Sequence, residues 1–234
     1  MASLAVVPQF CAEGIGAHLR RLDSAVSRFN LARGTELFAQ GDPCDRVFVL
    51  LAGRVKLSTD GPDGKSCLFH IVEPGEVIDE SVLLGERSYR AAAHVVESAS
   101  VVSVPIHHAL RELETRPELW RDLAPLFRTR LRNLEDQLQW VCFLEVEQRV
   151  IKLLLRWAEN RSQSLDGTHQ FRLSQEDLSD MIGATRETTS TALNRLRRAG
   201  CVDLGRRSIV VRSVEKLRQM AGDPGRRALK PVAV

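Results

Sequence analysis

The stretch SQEDLSDMIGATRETTSTALNRLRRAG, residues 174–200, predicts two short helices joined by a tight turn. Ser174 can cap the first helix, and Asp177, three residues later, completes a variant of the capping box. Gly183 opens the turn, and Gly200 follows the second helix as a left-handed C-cap. The segment therefore has the length and the terminal signals of a helix-turn-helix.

The second of these helices, expected to begin at about 186 and to end at about 199, carries polar and basic side chains on its outer face. Leu193 and Leu196 are expected to face inward. The predicted outward set comprises Arg186, Glu187, Thr188, Ser190, Asn194, Arg195 and Arg197. A helix that exposes such side chains beside a compact apolar turn is suited to the major groove of DNA. A helical hairpin inside an ordinary domain is the alternative interpretation.

Charge is unevenly distributed along the 234 residues, although the net charge is only +3. From Glu147 onward there are 17 Lys and Arg against 10 Asp and Glu, whereas the preceding residues carry 16 against 20. A basic C-terminal third indicates a nucleic-acid module, and a solvated basic face would give the same excess. No apolar run approaches the roughly 20 residues that span a membrane. The N-terminus lacks the features of a signal peptide, so we expect a cytoplasmic protein without a membrane partner.

Cysteine and histidine placement argues against disulfides and metal sites. The five cysteines, at 11, 44, 67, 142 and 201, form no Cys-x-x-Cys pair and are odd in number. We therefore expect reduced, buried thiols and no zinc site. The six histidines show no metal-ligand spacing, so no metal is predicted.

Residues 31–105 alternate short β-type runs with turn residues, which predicts an antiparallel sandwich or barrel. The runs are 47–51, 54–58, 67–72, 92–96 and 100–105, with Ala52-Gly53 among the predicted turns. Before them, residues 11–30 show apolar side chains at helical spacing. The fold class is therefore α+β, with a β-rich N-terminal part and a helical C-terminal part.

Residues 117–145 predict a long helix with a narrow apolar seam. The seam side chains follow one another at intervals of four and three: Phe127, Leu131, Leu134, Leu138 and Val141. This heptad spacing favours a two-fold dimer, with burial against the chain's own domain as the alternative. An amphipathic helix is predicted over 147–160 and a basic hairpin, or wing, over 202–212. Residues 222–234 have little apolar content and are predicted to be a disordered tail.

The order of these parts resembles the Crp/Fnr family of bacterial transcription regulators. The most specific segments are GTELFAQGDPCDRVFVLLAGRVKL at 34–57, FLEVEQRVIKLLLRWA at 143–158 and LSQEDLSDMIGATRETTSTALNRL at 173–196. The resemblance implies a β-roll effector domain over 1–116, a dimerisation helix over 117–146 and a winged helix-turn-helix over 147–221. It also implies a homodimer without enzymatic activity that binds an inverted repeat in double-stranded DNA and activates transcription by contacting RNA polymerase.

The resemblance also assigns roles on the second helix. Arg186 and Glu187 match the Arg-Glu pair that opens the recognition helix in the cyclic-AMP receptor branch. Glu187 would accept from a cytosine amino group, and Arg186 would bind either a guanine or a phosphate. Ser190 falls where the oxygen-sensing branch has a base-contacting Ser. Thr191 stands where both branches usually have Arg, so we expect a different half-site. The expected phosphate contacts are Thr188, Thr189, Arg195, Arg197, Arg206 and Arg207, for each of which simple solvation is the alternative.

The effector cassette of the cyclic-nucleotide binders falls on VIDESVLLGERSYRAAAHV, residues 77–95. Glu80 matches the ribose-binding Glu and Arg90 the phosphate-binding Arg of the family. Asp79 replaces a Gly and Ala91 replaces a Ser or Thr. We therefore expect a Glu80–Arg90 salt bridge in an empty or repurposed roll and no bound cofactor, with a cyclic nucleotide as the alternative.

The base-reading Thr-Ser pair of the family falls on Leu134 and Glu135, which further weakens the match. An iron–sulfur cluster needs several N-terminal cysteines and is not expected. Haem would need an axial ligand such as His70, Cys67 or His94, but their spacing singles out none of them.

Three further interpretations remain open. Cys201 could act as a thiol switch if its basic setting lowered its pKa, and a small packing residue is the alternative. The protein could instead be a nucleotide-binding regulatory module acting on a protein partner. An enzyme is the third interpretation, but no catalytic constellation stands out in the sequence.

Overall fold

The computed structural model describes residues 15–19, 26–160 and 167–222. The chain forms two compact units that divide after Leu134. The first unit holds an antiparallel sheet and the second a bundle of short helices with a small sheet, so the predicted α+β class is confirmed. Within the described ranges, none of the helices combines the length and apolar character needed to cross a bilayer.

The first unit begins with a short helix, α1, at Ile15–Leu19 and continues as six strands. The strands are β1 Ser27–Leu31, β2 Glu36–Phe38, β3 Arg46–Asp60, β4 Ser66–Val72, β5 Val77–Ile78 and β6 Ala92–Pro105. They pair antiparallel in the order β1-β6-β3-β4, with β2 on β6 and β5 on β3. Their inward side chains, mainly Val, Leu and Phe, form one buried core. We call this sheet the roll.

Strands β3 and β6 correct the predicted strand boundaries. Each was expected to be two short strands, but β3 runs unbroken for 15 residues and β6 for 14. The predicted turn at Ala52-Gly53 is instead an irregularity within β3, where the pairing with β6 shifts register. Gly53 has φ 84°, and a Cβ there would overlap the Ser98 carbonyl oxygen. The glycine therefore lets the two long strands bend together rather than end.

The helix predicted over 11–30 is wrong at its C-terminal end, because Ser27–Leu31 is strand β1, paired with β6. Residues 11–14 and 20–25 lie outside the described residues. A 3₁₀ helix at Glu80–Leu84 links β5 to β6, and helix α2, Ile106–Thr115, follows β6 directly. Helix α2 was not predicted.

Helix α3, Leu119–Phe143, confirms the long helix predicted over 117–145. Helix α4, Val146–Asn160, follows after Leu144 and Glu145 and buries its apolar face, including Ile151 and Leu154. Residues 161–166 of the predicted loop lie outside the described residues.

The second unit continues with strand β7, His169–Phe171, and then the two predicted helices, α5 Gln175–Ile182 and α6 Arg186–Arg198. Strands β8, Val202–Gly205, and β9, Ser208–Val211, form the predicted hairpin, and helix α7 spans Val214–Met220. β7 and α7 were not predicted. β7 pairs with β9, so the hairpin belongs to a three-stranded sheet. Residues 223–234 of the predicted tail lie outside the described residues.

Candidate nucleic-acid interface and effector pocket

Local capping sets the ends of α5 and α6. The Ser174 hydroxyl accepts from the Asp177 backbone N–H, and the Asp177 carboxylate accepts from the Ser174 N–H, which confirms the capping box. Gly183 ends α5 in the left-handed conformation, and Thr185 caps α6. Gly200 has the predicted left-handed conformation, with φ 70°, but Ala199 is the C-cap of α6 and Gly200 follows it. The caps at Gly183 and Thr185 fix the angle at which α6 leaves the turn.

The outer face of α6 is polar and exposed. Its exposed side chains include Arg186, Glu187, Thr188, Thr191, Arg195, Arg197 and Arg198. The inner face buries Ala192, Leu193 and Leu196. Most of the predicted DNA-reading side chains are therefore brought together on one accessible surface, as recognition in the major groove requires.

Thr189 corrects the predicted set of phosphate contacts. Its side chain is fully buried, and its hydroxyl donates to the Thr185 carbonyl oxygen at 2.9 Å. A phosphate cannot reach a side chain packed inside the unit. Thr189 lies four residues before Leu193, so its inward position follows from the helical period.

Three other predicted contacts already have internal partners or are half-buried. Asn194 Nδ2 donates to the Ser190 carbonyl oxygen at 2.9 Å, and both residues are half-buried. Arg195 lies 3.2 Å from the Glu147 carboxylate, but its side chain remains 67% exposed. An exposed ion pair of this kind is weak, so Arg195 can exchange Glu147 for a phosphate.

The hairpin brings Arg207 near the start of α6. Arg206 and Arg207 form the exposed turn between β8 and β9, and Arg207 has φ 57°. A cleft of about 340 Å³ is lined by Ser174, Gln175, Glu176, Arg186, Gly205 and Arg207. It unites the wing, the first turn of α5 and Arg186. Sequence reasoning missed Gln175, although a polar side chain in the first turn of α5 was the available signal.

The cassette residues of the roll lie at the 3₁₀ helix. Asp79 caps this helix with φ 55°, and one of its carboxylate oxygens accepts from Ser81. The other oxygen, Oδ2, is buried and has no hydrogen-bond partner among the described residues. Asp79 therefore places a buried carboxyl group beside Glu80, where the family resemblance has glycine.

Glu80 corrects the predicted salt bridge. Its side chain is only 4% exposed, and Oε1 lies 2.5 Å from Nε of Arg130 on α3. Arg90 is exposed and is not the partner of Glu80. Arg130 lies within the long helix predicted over 117–145. Its position four residues before Leu134, a predicted pocket residue, was the missed signal.

The pKa values of Glu80 and Glu76, two carboxyl groups influenced by Arg130, are shifted in opposite directions. Burial raises the pKa of Glu80 above its ordinary value, although the charge of Arg130 opposes this. Burial also acts to raise the pKa of Glu76, but a 3.0 Å contact with His70 and the charges of His70 and Arg130 outweigh it and lower that pKa. The pocket thus holds its own cation for its buried acids.

Leu134 and Glu135 are both exposed on α3. Ala91, which replaces a hydroxyl-bearing residue in the family pattern, is buried. The structure therefore pairs Glu80 with Arg130 and leaves Arg90 at the surface.

The alternative sensors lack support in their surroundings. His70 contacts Glu76, and His94 lies 3.7 Å from Glu36. Among the described residues there is no group of three or more His, Cys, Asp or Glu able to hold a metal ion. Burial raises the pKa of the Cys201 thiol, which is fully enclosed, so the lowered pKa considered for a thiol switch is wrong. The charge of Lys216 only opposes this rise.

The predicted seam on α3 is largely uncovered. Leu131, Leu134, Leu138 and Val141 are 58%, 47%, 65% and 46% exposed. Phe127 differs from them, because it is half-buried against the core of the roll. Four large apolar side chains in one stripe are unusual on a surface that meets only water.

Comparison with known proteins agrees with this architecture. The family model of the cyclic nucleotide-binding domain matches residues 28–116, and that of the Crp-like helix-turn-helix domain matches residues 148–220. A cAMP-activated global transcriptional regulator from Mycobacterium tuberculosis is 30% identical over 81% of this chain and 85% of the relative. A transcriptional activator protein from Pseudomonas aeruginosa is 26% identical over 86% of this chain and 83% of the relative.

The structure of FixK2 from Bradyrhizobium japonicum superposes with a TM-score of 0.72, covering 83% of this chain and 96% of that one at 24% identity. The chain therefore belongs to the Crp/Fnr family, as its sequence predicted. It is a transcription regulator with a cyclic nucleotide-binding domain and a helix-turn-helix DNA-binding domain. Its relatives are regulators and not enzymes.

Proposed function

We propose that the protein is a homodimeric transcription activator that binds an inverted repeat in DNA without needing a cyclic nucleotide. The observation that carries this proposal is the exposed outer face of α6, which presents Arg186, Glu187 and Arg197 together. Two such helices in a two-fold dimer enter successive major grooves about one helical turn apart. The proposed domains are the roll over 1–116, the dimerisation helix over 117–146 and the winged helix-turn-helix over 147–221.

The exposed seam supports the dimer. Leu131, Leu134, Leu138 and Val141 recur at heptad spacing, and a second copy of α3 would bury all four. In a parallel pair of helices, the two recognition helices are related by the same two-fold axis as the halves of an inverted repeat.

Independence from cyclic nucleotides is supported by charge in the roll. A cyclic nucleotide brings an anionic phosphate, which the buried carboxylate of Asp79 would repel. Glu80 is already neutralised by Arg130, and Ala91 offers no hydroxyl to a phosphate. We propose that the protein binds DNA in the absence of any added ligand. We also propose that it is located in the cytoplasm, together with its target DNA.

A cyclic-nucleotide-controlled regulator is the second candidate function. It is favoured by Arg90, which is exposed and able to meet a phosphate, and by the name of the Mycobacterium tuberculosis relative. The two candidates differ in one measurable property, which is whether sequence-selective DNA binding requires cyclic AMP.

The test begins by selecting duplexes from a random-sequence pool with the purified protein. Fluorescence anisotropy then compares the selected site with a scrambled site, with and without cyclic AMP. We expect an inverted repeat, bound selectively and equally in both conditions. Selective binding only with cyclic AMP would establish the second candidate, and equal binding of selected and scrambled sites would overturn the proposal altogether.

Two further measurements complete the test. Calorimetry on an Asp79→Gly/Ala91→Ser variant is expected to detect cyclic AMP binding that the unmodified protein lacks. Activation is supported by the name of the Pseudomonas aeruginosa relative, a transcriptional activator protein, and we propose that it proceeds through contact with RNA polymerase. Transcription with purified polymerase should rise when the selected site is placed upstream of a promoter, and a fall would identify a repressor.

A further inference from the structure

Arg149, in the first turn of α4, donates hydrogen bonds to four backbone carbonyl oxygens. Its Nε reaches Leu144 at 2.8 Å and its Nη2 reaches Val141 at 3.0 Å. Its Nη1 reaches Ile182 at 3.2 Å and Gly183 at 3.3 Å. The first two oxygens belong to the last turn of α3 and the residue after it. The other two belong to the end of α5 and the turn before α6.

These oxygens are those that a helix leaves without partners. The last four carbonyls of an α-helix have no N–H donor within the helix, and the helix dipole makes that end negative. Arginine is suited to such a place because its planar guanidinium carries five donors and keeps its charge. Arg149 thus satisfies the ends of two different helices at once.

The two helix ends that share Arg149 also touch. Gly183, with φ 62°, lies against Val141, since a Cβ on the glycine would stand 3.5 Å from Val141 Cγ2. The backbone N–H of Ala184 donates to the Ser179 carbonyl oxygen at 3.0 Å and closes the turn. Helix α6 begins only three residues after Gly183, so a shift of this turn moves the start of α6.

We infer that Arg149 is a positioning residue for DNA recognition, one that fixes the direction of α6 relative to the C-terminal turn of α3. This inference rests on the proposed function, because the direction matters only if two α6 helices read DNA together. In a dimer joined along α3, the clamp by Arg149 sets the distance between the recognition helices. It thereby sets which half-site spacing the protein accepts.

The preference for one half-site spacing over another distinguishes a role of Arg149 in positioning α6 from a role in stabilising the fold. Loss of the clamp should leave each α6 able to read its own half-site but should loosen the distance between the two helices. Loss of stability would instead weaken binding to every DNA in proportion. The measured quantity is therefore the ratio of affinities for two probes that differ only in half-site spacing.

The experiment uses the full chain with Arg149→Gln and Arg149→Lys. Arg218→Gln is the control, because Arg218 lies in the same unit and hydrogen-bonds the exposed carboxylate of Glu159, at 3.5 Å, rather than the end of a helix. Probes are the selected inverted repeat, the same repeat lengthened by two base pairs between its halves, and a single half-site. Circular dichroism follows the thermal unfolding of every variant.

Arg149→Gln is expected to bind the selected repeat about 10-fold more weakly, since several hydrogen bonds from a charged donor are lost. Its affinity for the single half-site should stay unchanged, so the spacing ratio falls towards one. Arg149→Lys should retain part of the ratio, because lysine keeps the charge but lacks the planar arrangement of donors. Arg218→Gln should match the unmodified protein.

Equal weakening on all three probes, or an unchanged spacing ratio, would overturn the inference. If Arg149→Gln does not fold, the spacing ratio of Arg149→Lys decides in the same way. Failure of the unmodified protein to prefer the selected repeat over scrambled DNA would contradict the proposed function instead. That result is distinguishable because it requires no variant.

Discussion

The roll and the winged helix-turn-helix over 147–221, called the winged unit below, place their charged side chains in opposite environments. In the roll, Glu76 and Glu80 are turned inward, and Arg130 and His70 balance them within the protein. In the winged unit, α6 and the wing hold Arg186, Arg197 and other arginines out in solvent. Charges balanced internally need no outside partner, whereas a cluster of exposed arginines attracts a polyanion. The winged unit thus offers its cations to DNA, whereas the acids of the roll already have cationic partners within the chain.

Removing the apolar seam should give the largest effect, because it separates the two copies of the winged unit. We expect Leu138→Glu to yield a monomer by sedimentation velocity and to weaken binding to the selected inverted repeat about 1,000-fold, since the advantage of two linked sites is lost. Leu84→Glu is the control, as Leu84 is 57% exposed on the 3₁₀ helix outside the seam. A Leu138→Glu dimer with full affinity would show that another surface joins the copies.

Removing Arg130 tests whether the stability of the fold depends on a cationic partner for the buried Glu80. We expect Arg130→Ala to lower the free energy of unfolding by about 3 kcal/mol in urea titrations, because Glu80 remains buried without a partner. The double variant Arg130→Ala/Glu80→Gln should regain most of this loss. A loss common to the single and double variants would assign the effect to packing by the arginine side chain.

Substitution of two arginines of α6 should distinguish contacts that read bases from contacts that bind phosphate. We expect Arg186→Ala to cost about 2 kcal/mol on the selected site and to relax its sequence preference. Arg197→Ala should weaken selected and scrambled duplexes alike and reduce the slope of log affinity against log salt by about 1. Anisotropy titrations at several salt concentrations measure both. Identical behaviour of the two variants would contradict the division of roles.

The smallest predicted effects concern how the free energy of unfolding depends on pH. Glu80 and Glu76 should contribute to it with opposite signs. Because the folded pKa of Glu80 is raised, its contribution to stability is present below its unfolded pKa, near 4.5, and is lost as pH rises through the folded pKa. The folded pKa of Glu76 is lowered, so its contribution is present above 4.5 and is lost as pH falls. From pH 4 to 7, Glu80→Gln should therefore gain stability relative to the unmodified protein, and Glu76→Gln should lose it. Urea midpoints measured across this range would contradict the assignment if both variants moved in the same direction.

Local signals predicted the winged unit well. The capping box at Ser174, the turn at Gly183 and the conformation of Gly200 depend on neighbours within a few residues, and all three are confirmed. Thr189 was misplaced because its polarity was given more weight than its spacing from Leu193. The period of the helix decides which side chains are enclosed, whatever their chemistry.

Long-range contacts account for what the sequence did not predict. Glu80 meets Arg130 across 50 positions of the chain, whereas the family resemblance pointed to Arg90 as its partner. The irregularity at Gly53 resembles a turn in sequence, because both need a residue with positive φ. Only the pairing of β3 with β6 distinguishes them. Arg149 was overlooked because its partners are backbone oxygens, which leave no signature in the residue types.

The pairing of β3 with β6 has a consequence for how the protein is made. Arg46 pairs with Pro105 and Ser58 with Ala92, so the roll cannot close until the ribosome has delivered β6. The β8–β9 hairpin has its partners only a few residues apart, such as Gly205 with Ser208. Distant partners slow folding, because the intervening chain must be ordered before contact is gained. Although the roll emerges first, the search of its two long strands for each other should limit the rate at which it closes.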